Sequence, residues 1–408
     1  MATSIDTTDG SAATDASIRP FRVTLQEDDL ADLRRRLAAA RLPTKELVPD
    51  QTQGVQLATM QALARYWATE YDMRRVEDRL NALPQFMTEI DGVDIHFIHV
   101  RSPHDNALPL IITHGWPGSV IELLDVVGPL TDPTAHGGTA EDAFDLVLPS
   151  LPGYGFSAEP TEAGWDPART ARAWVELMNR LGYTRYVAQG GDQGAGVTDQ
   201  MARLAPSGLA GVHFNFLDAA PRELLMAALG FRLAFSEDER NQFSRLTGIL
   251  RRGYISEMGE HPQTIGYSLL DSPLGLAAWM LDHDEDSYKK ISQAFLGGEA
   301  SGGLTRDHVL DNITLYWLTN TGASSSRLYW ENNRAVTAQI KDPPPHVTLP
   351  VGFTVFPGEI FQAPRHWVKS AYHNLIYFNE VDKGGHFAAW EEPELFSQEM
   401  RAAFSSLR

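Results

Sequence analysis

The chain has no cysteine among its 408 residues. That excludes a disulfide framework, thiol catalysis and cysteine-ligated zinc, and it fits a reducing compartment. Positive charge is scarce as well: 34 Lys and Arg stand against 53 Asp and Glu, for a net charge of -19. Nucleic-acid phosphates and anionic membranes both call for basic clusters, and none is present. No apolar run approaches the roughly 20 residues that span a bilayer. The opening MATSIDTTDGSAATDAS lacks the basic and apolar regions of a secretory leader. A cytoplasmic protein is expected, without nucleic-acid partner or membrane anchor, whose residues 1–17 form a disordered arm.

What is there is an ordinary core-forming composition, 43% hydrophobic and 21% charged. Residues 18–85 read as a polar-rich helical meander, with Leu30, Leu33 and Leu37 and then Leu63, Tyr66, Trp67 and Tyr71 at helical spacing. Such a meander must lie on something else; it either wraps the core or joins a homodimer interface. Alternation then takes over. Phe86 to Ile90 and Val93 to Val100 flank Asp91-Gly92, which predicts a hairpin. Leu108 to Thr113 and Phe144 to Pro149 are nearly continuous apolar runs, as expected of strands buried on both faces. A helix at Ala168 to Leu181, a strand at Tyr186 to Gln189, a helix from near Gly194 and a strand at Gly211 to Leu217 continue the pattern. Strands alternating with helices imply a mostly parallel, doubly wound α/β sheet. From about Pro221 to Arg334 the periodicity is helical again, predicting a cap inserted between sheet strands. The sheet resumes at Val351 to Val355 and Leu375 to Phe378, before a C-terminal helix at Pro393 to Leu407. The core is thus expected at 86–218 and 346–408, and the helical cap at 219–345.

The sharpest chemical signal is Gly190-Gly191-Asp192-Gln193-Gly194-Ala195, between an apolar strand and a helix. One reactive residue among small ones is the layout of a strained strand-to-helix turn that presents a nucleophile. A Gly-rich βα turn with Asp as helix cap would look similar. A nucleotide loop would not, since G-x-G-x-x-G and GK[ST] are missing. The identity of the nucleophile sets the chemistry. A carboxylate is a poor acyl-transfer nucleophile but can displace a leaving group from sp3 carbon, forming an ester on the enzyme. Epoxides or alkyl halides are then the substrates.

Partners follow from position. Thr113-His114-Gly115-Trp116-Pro117-Gly118-Ser119 directly follows a buried strand, so the backbone N–H groups of Trp116 and Gln193 are the expected oxyanion hole, with the Trp116-Pro117 bond a candidate for cis. His386, in Lys383-Gly-Gly-His386-Phe, comes after the last strand, where the base of this chain order belongs. The acid is Glu359, at the end of the preceding strand, in preference to Asp218, at the end of an earlier one.

At these residues the sequence resembles the microsomal-type epoxide hydrolases of the α/β-hydrolase superfamily, juvenile-hormone epoxide hydrolases included. The resemblance runs from about Ile18 to the end. It rests on IRPFRV, HGWPGS, PGYGFS at Pro152 to Ser157, GGD at the turn and GGHFAAWEEPEL. It implies an α/β-hydrolase fold with cap and meander, and two cap tyrosines on the epoxide oxygen, Tyr329 and Tyr254, with Tyr267 and Tyr316 as competitors. Family members usually carry Trp after the nucleophile; here it is Gln193, which keeps the backbone donor and alters the pocket beside it. The expected reaction opens an apolar epoxide with Asp192, then hydrolyses the ester with water activated by His386 and Glu359, with no cofactor or metal. A haloalkane dehalogenase is the alternative enzyme, disfavoured by Gln193 where such enzymes hold halide with Trp. A non-catalytic binding protein on this fold is the third reading, and an intact Asp192, Glu359 and His386 set counts against it. Cap aromatics Trp279, Trp317 and Trp330 suggest an apolar pocket, unless they merely pack.

Overall fold

The computed structural model describes residues 17–216, 236–249, 252–341 and 345–408. The arm before residue 17, Leu217 and the competing acid Asp218 fall outside the described residues.

Nine strands form one sheet: β1 (Arg19–Phe21), β2 (Gln85–Ile90), β3 (Val93–Val100), β4 (Leu108–Thr113), β5 (Phe144–Pro149), β6 (Tyr186–Gly190), β7 (Leu209–Phe214), β8 (Val351–Val355) and β9 (Leu375–Glu380). Their order is β1-β2-β3-β5-β4-β6-β7-β8-β9. The first three pair antiparallel and β3 joins β5 antiparallel, while β5 through β9 run parallel. This is the mostly parallel sheet the alternation of elements predicts, in the α/β-hydrolase fold that the resemblance implies. The apolar runs of β4, β5 and β8 are almost wholly buried because helices cover both faces. The hairpin turn has both Asp91 (φ 50°) and Gly92 (φ 77°) in the left-handed region, matching the twist of the strands it joins. β1 is an addition: three edge residues with a proline carry no alternation to read.

Chain order reverses at β4, with β5 on one side and β6 on the other. A crevice opens outside the carboxyl ends of strands at such a switch point. The loop after β4 carries HGWPGS and the turn after β6 carries Asp192, so both flank it.

Between β7 and β8 the described residues form helices at 237–249, 253–260, 262–271, 273–281, 285–297, 306–318 and 322–341. The helical meander lies on this set. Asp311, fully buried on the 306–318 helix, accepts from Tyr71 Oη (2.8 Å) and pairs with Arg79 (2.9 Å) and Arg75 (3.2 Å). Trp67 donates its indole N–H to Thr314 at 3.0 Å, and Tyr66 donates to Asp307 at 2.7 Å. Among the described residues no helix is long and apolar enough to cross a membrane.

Candidate active site

β6 ends at Gly190, and the helix Asp192–Leu204 starts at Asp192 itself, two residues before the sequence suggests. Asp192 is held at φ 47°, a left-handed backbone that strains a residue with a side chain. The strain is imposed by crowding. A Cβ on Gly194 would stand 2.0 Å from the Thr113 carbonyl oxygen, and one on Gly190 would stand 2.1 Å from that of Gly194. Only small residues let the turn pack against β4, and the turn in exchange lifts the Asp192 carboxylate clear of the sheet.

The HGWPGS loop then reaches that carboxylate. Trp116 N–H donates to Asp192 Oδ1 at 2.8 Å. The Trp116-Pro117 bond is cis. The loop is tied to the cap: Asn312 Nδ2 donates to the Pro117 carbonyl (2.7 Å), Ser119 Oγ donates to Asn312 Oδ1 (2.7 Å), and Tyr316 Oη donates to the Gly118 carbonyl (2.6 Å). His114 ties it to the residue before the PGYGFS segment, accepting the Leu151 N–H at Nε2 (3.2 Å) and meeting the Gly115 carbonyl at Nδ1 (3.0 Å). Burial pushes the His114 imidazole down to about 4, so it is a neutral bridge. Gln193 follows in the first turn of the helix, whose backbone donors have no partner inside the helix.

His386 Nε2 lies 3.5 Å from Asp192 Oδ2, and its Nδ1 lies 2.7 Å from Glu359 Oε1. Glu359 Oε1 also accepts the Ile360 N–H at 2.8 Å, which fixes the acid. The two loops are stitched together by Gly358 N–H donating to the Gly384 carbonyl at 2.9 Å. His386 and Glu359 are almost fully buried. Burial pushes Asp192 up, but the His386 imidazole, the His283 imidazole and the Trp116 N–H outweigh it and hold the carboxyl below its ordinary value. Burial pulls His386 down, yet the charges of Glu359 and Asp192 on either side raise it well above an ordinary histidine. The His386 imidazole thus lies between two carboxyl groups that both favour its protonated form.

Two cap tyrosines cover the crevice. Tyr254 stacks on Trp116 at 5.1 Å, Tyr329 stands edge-on to Trp116 at 5.8 Å, and the two phenols are 6.1 Å apart. Burial first, then the Asp192 charge, raises both phenols well above their usual value, so both stay protonated donors. The Gln193 side chain is close enough to the Tyr329 phenol to offset a small part of that rise. The competitors go elsewhere: Tyr267 is 72% exposed, and Tyr316 is spent on the Gly118 carbonyl. None of the suggested aromatics lines the cavity at Asp192 and His386, whereas Trp330 lines a larger one of about 490 Å³ with Pro160, Trp165 and Leu328. Trp279 donates to Met258 Sδ, while Arg36 covers Trp317 and Arg334 covers Trp330. The apolar walls come instead from Trp116, Phe216 and Phe387.

Three neighbours of the site escape sequence reading. Glu122 lines a cavity of about 30 Å³ with Asn215, Asp192 and His386, and burial pushes its carboxyl up to about 8. His283 and Asp284 form a buried pair against His386. Glu122 lies in the short 3-10 helix Val120–Val126 directly after HGWPGS and could have been found there; the pair lies in the acidic run Asp282-His283-Asp284-Glu285-Asp286, which reads as a solvated turn. Among the described residues Asp192, His283 and His386 also bring potential metal-ligand atoms within 4.8 Å of one another.

Comparison with known proteins agrees with this fold. Residues 18–123 match the model of the epoxide hydrolase N terminus, and residues 109–247 that of the alpha/beta hydrolase fold. The chain is 50% identical over 395 residues to a Stigmatella aurantiaca relative, covering 96% of this chain and 86% of that one. It is 38% identical over 409 residues to epoxide hydrolase 1 of Sus scrofa, covering 96% and 89%. The crystal structure of juvenile hormone epoxide hydrolase from the silkworm Bombyx mori superposes with a TM-score of 0.83 at 30% identity, covering 97% of this chain and 96% of that one. The Aspergillus niger epoxide hydrolase superposes with a TM-score of 0.81 at 29% identity, covering 97% and 98%. With its fold, its carboxylate turn and these relatives, the chain belongs to the epoxide hydrolase family.

Proposed function

We propose that this epoxide hydrolase turns an apolar epoxide into a vicinal diol through an ester on Asp192, with Tyr254 and Tyr329 as acids, His386 and Glu359 as base and orienter, and the Trp116 and Gln193 N–H groups as oxyanion hole. The observation that carries the reading is the position of the Asp192 carboxylate, 2.8 Å from the Trp116 N–H and 3.5 Å from His386 Nε2, under two protonated tyrosines. Ring opening makes a bond from Asp192 to an epoxide carbon and breaks that carbon's bond to oxygen. The freed alkoxide takes a tyrosine proton. Alkylation removes the Asp192 charge, so His386 loses one of the two carboxylates that raise it and gives up its proton to restore the tyrosine. The neutral imidazole then takes a proton from water, whose oxygen adds to the ester carbonyl. The charge that develops on Oδ1 falls where Trp116 already donates.

The walls of Trp116, Phe216 and Phe387 favour an apolar substituent, and the cysteine-free, acidic chain suits the cytoplasm. No partner beyond substrate and water enters the cycle; a homodimer through the meander is compatible with it.

The test is a trap. Full-length His386→Gln incubated with styrene oxide should gain the mass of the epoxide, located on the peptide containing Asp192. Steady turnover without an adduct would contradict the ester route.

A further inference from the structure

We infer that His283, oriented by Asp284, is a second acceptor for the hydrolytic water, which it holds against the Asp192 ester together with His386. The inference rests on the ester route proposed above.

His283 sits between the cap helices at 273–281 and 285–297. Asp284 caps the second of these, its Oδ1 accepting the Ser287 N–H at 2.8 Å, and its Oδ2 takes His283 Nδ1 at 3.0 Å. The main-chain carbonyl of His283 is in turn anchored by Arg252. The ring is therefore held at Nδ1 and its main chain at the carbonyl, and one ring nitrogen is left. Nε2 is buried and has no hydrogen-bond partner. Natural structures rarely leave such an atom without a use.

The ring is packed into the site. Its centroid lies 4.4 Å from that of His386, 5.2 Å from that of Tyr254 and 5.9 Å from the Trp116 ring. A ring nitrogen of each histidine and a carboxylate oxygen of Asp192 lie within 4.8 Å of one another. Any three atoms so spaced leave a point within about 2.8 Å of all of them, the length of an ordinary hydrogen bond. A water oxygen at that point would be within hydrogen-bond reach of all three.

The valence of water completes the case. Its two O–H bonds need two acceptors if a lone pair is to point at the ester carbon. His386 Nε2 is one and His283 Nε2 the other, while Nδ1 of each ring is held by a carboxylate. Burial, reinforced by the His386 charge, lowers His283, so its Nε2 keeps a lone pair. In the step itself, one water proton goes to His386 Nε2 and the oxygen bonds to Asp192 Cγ. The second O–H stays on that oxygen, directed at His283. Collapse breaks the ester C–O bond, and His386 returns its proton to the diol oxygen. The Asp192 carboxyl then passes the remaining proton to His386, restoring the ion pair.

The test separates the two half-reactions in the full-length protein by rapid quench and intact mass, with styrene oxide as the probe. His283→Phe keeps the ring and removes the acceptor. Ester formation should stay within about threefold, ester decay should slow about 10- to 100-fold, and ester should accumulate. His283→Gln, which keeps an acceptor, should recover much of the decay rate. Unchanged decay in His283→Phe overturns the proposal, as does a parallel loss of both steps that Gln fails to relieve. If His386→Gln never forms an ester, the covalent route fails instead, and the two failures are distinguishable.

Discussion

A methyl group at Gly115 would probe the nucleophile without touching any reacting atom's identity. The backbone there has no positive φ, so alanine meets no conformational penalty. Space is the obstacle: the added Cβ would stand 2.4 Å from both Cβ and Oδ1 of Asp192 and 2.8 Å from its Cγ. Carbon contacts settle at about 3.5 Å, so the carboxylate must retreat by about 1 Å. Two consequences separate. Misplacing a reacting group by about 1 Å costs on the order of 10²-fold in ester formation. Drawing Oδ1 away from the Trp116 N–H, now at 2.8 Å, removes an oxyanion donor that is generally worth about 10²- to 10³-fold in the hydrolytic step. Overpacking itself costs about 1–3 kcal/mol, a fall of a few degrees in Tm. Rapid quench of Gly115→Ala with styrene oxide, alongside a thermal melt, should therefore show both steps crippled in a protein that still melts cooperatively. Ester formation within threefold of the native rate would refute the close approach of Gly115 to the nucleophile.

Other perturbations follow from the same contacts. Tyr254→Phe and Tyr329→Phe should each slow ester formation by about 10- to 100-fold and leave ester decay unchanged, read in the same quench. Because both phenols titrate far above their usual value, an alkaline fall in activity below pH 10 should persist in both variants. The His386–Asp192 pair should also show in stability. His386 is raised on folding, so its contribution is full below its unfolded value of about 6.5 and is lost as pH rises through the folded value; Asp192 is lowered, so its contribution is present above about 3.9 and is lost as pH falls through the folded value. The Tm advantage of native protein over His386→Gln should peak between about pH 4 and 6.5 and shrink on either side. Asp311→Ala should destabilise by about 3–5 kcal/mol, since Arg75 and Arg79 lose a buried carboxylate; a denaturant melt within 1 kcal/mol of native would contradict the meander's ionic anchor.

Much of this architecture was legible because its signals are local. β4, β5 and β8 stand where continuous apolar runs place them, and the Asp91-Gly92 turn carries its conformation in its residue types. The small-residue turn around Asp192 is equally local, and the sequence puts His386 and Glu359 after consecutive strands, whose carboxyl ends a parallel sheet brings to one side. What stayed hidden depends on contacts between distant segments. β1 has three residues and exists by pairing with β2. Leu209 joins β7 by pairing with Tyr186, with Ala210 as the irregularity before Gly211, ahead of the apolar stretch that marks the strand. Nothing in Asp282 to Asp286 distinguishes a solvated acidic turn from one that turns inward to place His283 on His386. The cap aromatics show the converse: Trp279, Trp317 and Trp330 are spaced for a helix, and a helix offers several faces, of which theirs meet Met258, Arg36 and Arg334. Telling Tyr254 from Tyr267 likewise needs the packing of one helix against the next.

The route of oxygen tests the central claim most directly. With enzyme in excess over epoxide in H2 18O, one turnover through an Asp192 ester gives a first diol whose new oxygen comes from the protein, and one solvent oxygen appears in the peptide that contains Asp192. Solvent label in that first diol, with Asp192 unlabelled, would show water attacking the epoxide directly and would contradict the covalent route.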